Sequence, residues 1–398
     1  MATEKASHAR TKRHNKRLVF QTIYSAGQIS RAGVARATHL TPPTVSNIVA
    51  ELLEAGWVRE VGLATSGAGK PAMLLSVNAD ARYLIGVDLA NSEFRGAVVN
   101  LRGNICHRAV RQVRDRKGDA ALSMVIELLD ELRQYTERPL LGIGIGTPGL
   151  IDSSQGIVHT AVNLEWQDLP LGPLLHERYQ LPVYVANDSQ AAALGEYLFG
   201  GRTYAGNLVV MKVGRGIGAG VVLNGKLYQG DAFGAGEIGH FQVVERGEPC
   251  RCGSFGCLET VVSSRALVRQ ARAIAQTNPQ SPLHALVDSP AEITAQDVIA
   301  AFRQGDPALE TAVANMGRYL GIAAAMIVSV LNPQDIVIAG TLAPLGESLL
   351  KTLVQSMRER ALTRLAQATR LSVSSLGDDI VILGAAALLL NQELGLAG

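Results

Sequence analysis

Cysteine and aromatic residues are scarce in this chain of 398 residues, which has four Cys, seven Phe, nine Tyr and two Trp. So few cysteines exclude the disulfide-dense scaffolds of small secreted proteins. No uninterrupted apolar run approaches the roughly 18 residues of a membrane span, and no export signal is evident, so we expect a cytoplasmic protein without a membrane partner. The hydrophobic content of 47% and the 41 glycines predict an α/β protein of two or three domains.

The net charge of +2 is small but unevenly distributed. Residues 1–80 hold ten lysines and arginines against five acids, whereas the remainder holds 27 against 30. A basic amino-terminal segment on a mildly acidic body predicts that this segment binds a polyanion, although solvated basic tails give the same asymmetry.

The first eighty residues predict two parts. Residues 1–16 are polar and basic without apolar periodicity, which predicts a flexible basic arm. Residues 17–80 predict three helices, the second capped by Ser30 and the third beginning with Thr41 and Pro42, followed by a two-stranded ribbon. This order is typical of a winged helix-turn-helix DNA-binding domain; a small helical protein–protein module is the alternative.

In a winged helix-turn-helix the third helix enters the major groove of a double-stranded DNA operator. The polar residues near its start are the candidates for contacting base edges, because an Asn can donate to and accept from one adenine. Basic residues on the flanking elements are the candidates for phosphate or minor-groove contacts. The predicted DNA-binding residues are Thr44, Ser46 and Asn47 for bases and Arg17, Arg31 and Lys70 for the backbone.

Three of the four cysteines cluster with a histidine. His240, Cys250, Cys252 and Cys257 lie within eighteen residues, and thiolates with imidazole are the ligands that a tetrahedral structural zinc prefers. A disulfide with one free thiol is the alternative. Cys106 lies far away in a predicted strand, where we expect it to be a small buried hydrophobe.

Two carboxylates, Glu237 and Glu259, flank this cluster. Acids held side by side on a pocket wall suit the hydroxyl groups of a sugar, because each carboxylate accepts several hydrogen bonds.

The rest of the chain contains two similar series of predicted strands. The first begins at Tyr83 and includes a helix over 120–138; the second begins at Asn207 and includes the glycine-rich run 214–220. Two such series predict a duplicated fold with a cleft between the lobes. The glycine run is not a dinucleotide fingerprint, because a strand rather than a helix follows it.

The motif Glu-x-Gly-His at 237–240, followed by Cys-x-Cys-Gly-x-x-Gly-Cys-Leu-Glu at 250–259, resembles the signature of the ROK family of repressors and sugar kinases. The resemblance covers residues 83–398. With the winged helix in front, the whole chain resembles the ROK repressors that respond to xylose, N-acetylglucosamine or glucose.

The resemblance implies a two-lobed actin/hexokinase-like ATPase fold with a sugar in the cleft and one structural zinc. Lobe 1 would span 83–193 and be completed by a C-terminal helix over 383–398; lobe 2, with the zinc site, would span 194–382. The implied sugar-binding residues are Asn163, Asn187, Asp188, Glu237, His240 and Glu259.

Two of these roles have alternatives. In the kinase members Asp188 would be the general base that takes the proton of the attacking hydroxyl, but Asn187-Asp188 also reads as a helix N-cap. His240 can be a plain zinc ligand, or can hold zinc through one ring nitrogen while the zinc site fixes Glu237.

Three departures from the kinase pattern predict a sensor without phosphoryl transfer. Ala90 and Asn91 replace two glycines of the first phosphate turn, Arg215 stands where kinases usually carry Thr, and the segment 339–341 retains one glycine. ATP and magnesium are therefore not expected as cofactors. We predict a sugar-responsive repressor acting as a homodimer or homotetramer; an ATP-dependent sugar kinase with a DNA-binding head is the alternative, and control by a protein partner a third.

Overall fold

The amino-terminal segment folds as a winged helix-turn-helix in a computed structural model that describes residues 8–64, 71–90, 92–136, 138–204 and 206–396. Ser30 caps the second helix and Thr41 caps the third, as the sequence predicted. A short third strand at Ile29–Ser30 joins the predicted two-stranded ribbon, in the order β1–β3–β2. The elements are α1 (His8–Ala26), β1 (Ile29–Ser30), α2 (Arg31–Thr38), α3 (Pro42–Glu54), β2 (Val58–Leu63) and β3 (Met73–Val77).

The predicted flexible arm over 1–16 is wrong for residues 8–16, which form the first two turns of α1; residues 1–7 lie outside the described part. Lys12 and Lys16, one turn apart, both pair with Glu51 of α3, at 2.6 and 3.3 Å. Hydrogen bonds from Lys12 and then Lys16 hold the pKa of the Glu51 carboxyl below its ordinary value. Because ion pairs rather than an apolar stripe hold this part of α1, hydrophobic periodicity could not reveal it.

Lobe 1 is built on a five-stranded sheet with a small three-stranded antiparallel sheet, β10–β9–β8, beside it. Its elements are β4 (Tyr83–Leu89), β5 (Glu93–Asn100), β6 (Ile105–Gln112), α4 (Gly118–Arg133), β7 (Leu140–Thr147), β8 (Leu150–Asp152), β9 (Ile157–Ala161), β10 (Trp166–Leu169), α5 (Leu171–Tyr179), β11 (Val183–Asn187) and α6 (Asp188–Phe199). The helix predicted over 120–138 is thus five residues shorter at its end. Cys106 lies on the edge strand β6 and is exposed, so the prediction that it is buried is wrong.

Lobe 2 holds the second five-stranded sheet and six of the α-helices of the described residues. Its elements are β12 (Leu208–Val213), β13 (Ile217–Leu223), β14 (Lys226–Tyr228), α7 (Leu258–Val262), α8 (Ser264–Thr277), α9 (Ala295–Arg303), α10 (Pro307–Leu331), β15 (Asp335–Ala339), α11 (Gly346–Arg358), α12 (Thr363–Ala368) and β16 (Arg370–Val373), and α13 (Ile380–Leu394) follows. The strand β13 begins inside the glycine run 214–220.

The two sheets have the same topology. Their orders are β11–β7–β4–β5–β6 and β14–β13–β12–β15–β16. In each sheet three consecutive strands form an antiparallel meander, and its first strand continues into two parallel neighbours. The duplication predicted from the two strand series is confirmed.

The helices α6 and α13 pack against each other between the two sheets. A Cβ on Gly144 of β7 would lie 1.9 Å from the Ala385 carbonyl oxygen, and one on Gly384 would lie 1.9 Å from that of Ala191. Only glycine allows these close approaches. Helix α6 packs mainly on the sheet of lobe 2 and α13 on that of lobe 1. The domain boundaries expected at 193/194 and 382/383 therefore fall inside continuous helices.

A single hydrophobic cluster joins the head to lobe 1. It includes Val19, Phe20 and Ile23 of α1 together with residues of β4 and β5 and Leu389 and Leu390 of α13. The Tyr24 hydroxyl donates to the Leu101 carbonyl oxygen at 2.8 Å. The head is thus packed against the body rather than merely linked to it.

One helix, α10, is long and apolar enough to cross a membrane by length and composition. More than half of its most apolar window is buried inside the protein, as expected for a core helix. Its buried residues belong to the main hydrophobic cluster of lobe 2.

Candidate functional site

A cavity of about 500 Å³ lies between the two lobes, within the range typical of small-molecule sites. Several chain segments supply its polar lining: a turn after β9, the junction of β11 and α6, the turn Ile238–His240, and α7. All six predicted sugar-binding residues line it: Asn163, Asn187, Asp188, Glu237, His240 and Glu259.

The three carboxylates of this set differ in the number of hydrogen bonds that they form within the protein. Glu259 accepts from the Ile217 backbone N–H at 3.2 Å and from Arg265 at 3.0 Å. Asp188 accepts from Ser189 at 3.1 Å and from Lys212 Nζ at 2.8 Å. Each therefore keeps only part of its acceptor capacity for a ligand.

The carboxylate of Glu237 forms no hydrogen bond to another described residue, and its Oε2 lies 3.8 Å from His240 Nε2. Partial desolvation in the cavity raises the pKa of this half-exposed side chain; the nearby His240 opposes the rise, and Asp188 and Glu259 reinforce it. Both of its oxygens are available for ligand hydroxyls, so it has the largest free capacity among the acids of the predicted set.

The two asparagines are partly committed to the fold. Asn187 caps α6 by accepting from the N–H groups of Ser189 and Gln190, and its amide donates to the Gly149 carbonyl oxygen at 3.0 Å. The N-cap alternative is thus correct for Asn187. Asn163 Oδ1 accepts from Arg251 at 3.1 Å, which leaves its amide N–H groups for a ligand.

The His/Cys cluster has the geometry of a metal centre. One ligand atom from each of His240, Cys250, Cys252 and Cys257 lies within 4.8 Å of all the others. Two of these edges, His240 Nδ1 to Cys250 Sγ and Cys252 Sγ to Cys257 Sγ, measure 3.7 Å. A tetrahedron with metal–sulfur bonds of about 2.3 Å has edges of nearly this length, so these two edges match those of a tetrahedral zinc site.

The two ring nitrogens of His240 face different partners. Nδ1 points to the cysteine cluster, whereas Nε2 lies 3.8 Å from Glu237 Oε2 on the cavity side. The imidazole thus joins the metal centre to the cavity wall, so both predicted roles of His240 are sterically compatible.

A buried charge cluster at the cavity floor was missed by the sequence reasoning. Asp88 of β4 faces Arg95 of the neighbouring strand at 2.5 Å, and its other oxygen is buried with no hydrogen-bond partner among the described residues. Burial raises the pKa of Asp88, against the lowering effect of Arg95 and then Lys212. A lysine within the otherwise apolar strand β12 and an aspartate within the apolar strand β4 were the sequence signs of this cluster.

The loops that bind phosphate in the kinase members carry, in this chain, the substitutions predicted to prevent phosphoryl transfer. Ala90, Arg215, Gly340 and Thr341 line the cavity, while Asn91 lies outside the described residues. A Cβ on Gly216 would lie 2.7 Å from Glu259 Oε2. The glycine at 216 therefore leaves room for the Glu259 carboxylate to approach the backbone.

The predicted DNA contacts have different environments. Ser46 and Asn47 are exposed on α3, whereas the Thr44 hydroxyl is 2.8 Å from that of Thr41 and takes part in the helix cap. Arg31 pairs with Glu60 of β2 at 3.0 Å. Lys70 lies outside the described residues.

Arg17 has a different environment from the one predicted. Its guanidinium donates to the carbonyl oxygens of Asn391 and Gln392, at 2.7 and 2.9 Å, at the end of α13. This links the head to the body, and sequence patterns cannot show it because the partners are more than 370 residues apart.

Comparison with known proteins agrees with this architecture. Residues 84–392 match the ROK family, and residues 12–59 match the winged helix-turn-helix DNA-binding family. The xylose repressor of Caldicellulosiruptor bescii is 31% identical over 98% of both chains.

Two solved structures are similar. The crystal structure of a ROK family transcriptional regulator, described as a homologue of the E. coli MLC protein, has a TM-score of 0.83 and 32% identity over 97% of this chain and 98% of its own. A ROK family glucokinase from Streptomyces griseus, in complex with glucose and AMPPNP, has a TM-score of 0.69 and 30% identity over 77% of this chain and 98% of its own. The family match over most of the chain, the matching head and the shared fold establish that this protein belongs to the ROK family.

Proposed function

We propose that this protein is a transcriptional repressor whose affinity for a double-stranded DNA operator is controlled by a sugar bound between the lobes. The observation that carries the proposal is the convergence of six hydrogen-bonding residues on one cavity in a chain that also has a winged helix-turn-helix. The similarity to a xylose repressor along nearly its whole length supports the same combination.

A structural zinc on His240, Cys250, Cys252 and Cys257 belongs to this proposal. The ion would fix the loop that follows β14 and so hold His240 and Glu237 at the cavity wall. It would supply no reaction chemistry, because four protein ligands leave no open position.

The helix α13 is the element through which ligand binding would reach the head. Ile380 and Val381 at its start line the cavity, and Arg17 and Gln21 of the head hold the carbonyl oxygens at its end. A sugar that binds one lobe arrangement more tightly shifts the equilibrium towards it, and α13 would carry that shift to α1.

On the DNA side, Ser46 and Asn47 would contact base edges, and Thr44 would support the start of the recognition helix. Arg31 and Lys70 would contact the DNA backbone or the minor groove, whereas we assign Arg17 to the joint with α13. A palindromic operator requires two heads, so the protein would act as a homodimer or homotetramer. A DNA operator as partner implies a cytoplasmic location.

Asp188 in the cavity favours one second candidate, an ATP-dependent sugar kinase. Its carboxylate is held by Lys212 at 2.8 Å, and Arg215 lies at the expected phosphate loop. We therefore expect no sugar-dependent ADP release from the zinc-loaded protein with Mg-ATP. Release above the level of an Asp188→Asn variant would establish the kinase instead.

The proposed function is tested by titrating the full-length protein on the DNA upstream of its own gene, with and without a panel of neutral and phosphorylated sugars. Tight, sequence-specific binding that is released by one sugar supports the proposal. Tight binding that no sugar in the panel changes would point to a protein partner, and no binding at all would refute the repressor assignment.

A further inference from the structure

The cavity contains five acidic and five basic side chains. The acids are Asp88, Asp188, Glu237, Glu259 and Asp378, and the bases are Arg95, Lys212, Arg215, Arg251 and Arg265. Three pairs neutralise each other by direct contact: Asp88 with Arg95, Asp188 with Lys212, and Glu259 with Arg265. The charges of the cavity therefore balance in number, and the side chains outside these three pairs are the ones whose charge remains free for a ligand.

Two arginines have no carboxylate partner within the described part of the chain. Arg215, in the turn between β12 and β13, makes neither a hydrogen bond nor an ion pair there. Arg251, in the loop of the zinc centre, donates to the neutral amide oxygen of Asn163 at 3.1 Å. Both side chains are exposed and line the cavity. Each guanidinium therefore keeps most of its five donors for a ligand.

The third arginine, Arg265, lies close to the other two. Burial lowers its pKa, and the neighbouring charges of Arg251 and Arg215 lower it further. Three guanidinium groups from separate chain segments thus line the same cavity, and Arg265 is the one among them that contacts the Glu259 carboxylate. Like charges held together in this way repel each other, and an anion placed between them would remove that repulsion.

We propose that the effector is an anionic sugar, a monosaccharide with a phosphoryl or carboxylate group, which Arg215 and Arg251 hold through that group. The inference rests on the proposed sugar-binding function of this cavity and specifies the ligand class. Planar guanidinium groups form paired, charge-assisted hydrogen bonds with both kinds of anion. The hydroxyl groups of the same ligand would bind Glu237, Asp188 and the free amide of Asn163.

The test is calorimetric titration of the zinc-loaded, full-length protein without DNA. The ligands are glucose, mannose, xylose and N-acetylglucosamine, their 1- and 6-phosphates, the matching uronic acids, inorganic phosphate, and ATP without magnesium. We expect one anionic sugar to bind at least about 10-fold more tightly than its neutral parent, with weaker binding as the salt concentration rises. The phosphate and uronate arms identify which anion is recognised.

Two variants test the assignment to residues. Arg215→Gln and Arg251→Gln should each reduce the affinity ratio of anionic to neutral sugar by about 10-fold, and Arg215→Lys should restore part of it. Arg364→Gln, on an exposed arginine of α12 outside the cavity, is the matched control. Zinc content and thermal unfolding are measured for each variant to establish that it folds.

Three outcomes would overturn the inference. The first is equal affinity for neutral and anionic sugars, and the second is an affinity ratio that is unchanged in both glutamine variants. The third is that the protein binds ATP and loses this binding in Arg215→Gln. Neutral sugars that bind and release the operator would leave the proposed function intact while this inference fails. If no sugar of either class binds, the proposed function fails as well.

Discussion

At the scale of single residues, Glu237 is the side chain whose replacement should separate sugar binding from DNA binding. Its carboxylate has no hydrogen-bond partner among the described residues and lies 3.8 Å from His240 Nε2. Glu237→Gln removes one charged acceptor, and hydrogen bonds to charged groups contribute about 1.5–3 kcal/mol. We expect sugar affinity to fall by about 10- to 100-fold, measured by calorimetry, with operator affinity unchanged in a gel-shift titration.

Glu245→Gln is the control for this prediction, because Glu245 is an exposed acid that does not line the cavity. A Glu237→Gln protein that responds to sugar like the control would contradict the assignment of Glu237 to the ligand.

Single residues could be predicted where they form a local motif and not where distant segments meet. The spacing of His240 and the three cysteines was sufficient to indicate their cluster, because all four lie on one short loop. The contact between Lys212 and Asp188 depends on how α6 packs against β12, and nothing in the sequence near either residue shows it. The same is true of Arg17, whose partners lie at the other end of the chain.

At the scale of elements, the ordered conformation of the loop from 240 to 257 should depend on bound zinc. Between the short turn at Ile238–His240 and α7, this loop has no helix or strand, but two isolated β-bridges, Gln242 with Cys257 and Pro249 with Phe255, and a few backbone hydrogen bonds. Loss of one zinc ligand should therefore loosen the loop and displace His240 and Glu237 from the cavity wall.

Cys252→Ser should accordingly reduce the zinc content from about one ion per chain to a small fraction and weaken sugar binding in parallel. Metal analysis and calorimetry measure the two effects. Cys106→Ser, at the exposed cysteine of β6, should change neither. Zinc content that remains at the wild-type level in Cys252→Ser would remove Cys252 from the metal centre.

Helix starts were the most predictable feature among the elements, and the helix packing was the least. Ser30 and Thr41 marked α2 and α3 because their side chains satisfy free backbone N–H groups locally. The crossing of α6 and α13 between the lobes could not be predicted, since it rests on glycines such as Gly144 whose neighbours come from remote parts of the chain. The predicted lobe boundaries fell inside these two helices for the same reason.

At the scale of the whole molecule, the joint between α1 and α13 should transmit the effect of the ligand. Arg17→Ala removes two hydrogen bonds to the last carbonyl oxygens of α13, while Gln21 keeps its bond to the Leu394 carbonyl oxygen. We expect the free energy of unfolding to fall by about 1 kcal/mol, and the sugar to release less DNA although it still binds. Glu127→Ala, on the exposed face of α4, is the control. Unchanged sugar-induced release in Arg17→Ala would show that the signal does not pass through this contact.

A continuous hydrophobic cluster joins the head, lobe 1 and α13, so we expect sugar binding in the cavity and DNA binding by the head to be coupled. If the sugar bound in the cavity releases the operator, linkage requires operator DNA to weaken sugar binding by the same factor by which sugar weakens DNA binding. A conformational equilibrium between two arrangements further limits this factor to a finite value. Coupling free energies of about 1–3 kcal/mol are typical, so the shared factor should lie between about 5 and 150.

The effect of operator on sugar affinity is measured by calorimetric titration of the effector into protein saturated with operator, compared with protein alone. The effect of sugar on operator affinity is measured by DNA binding at saturating effector. An oligonucleotide of scrambled sequence is the control, and Arg17→Ala should reduce both factors equally. If operator left the calorimetric affinity of the releasing sugar unchanged, release would have to arise from a site other than the cavity, because linkage makes the two factors equal for any one site. Mutual exclusion of sugar and operator, with no limiting factor, would instead indicate that the ligand competes with DNA at the head.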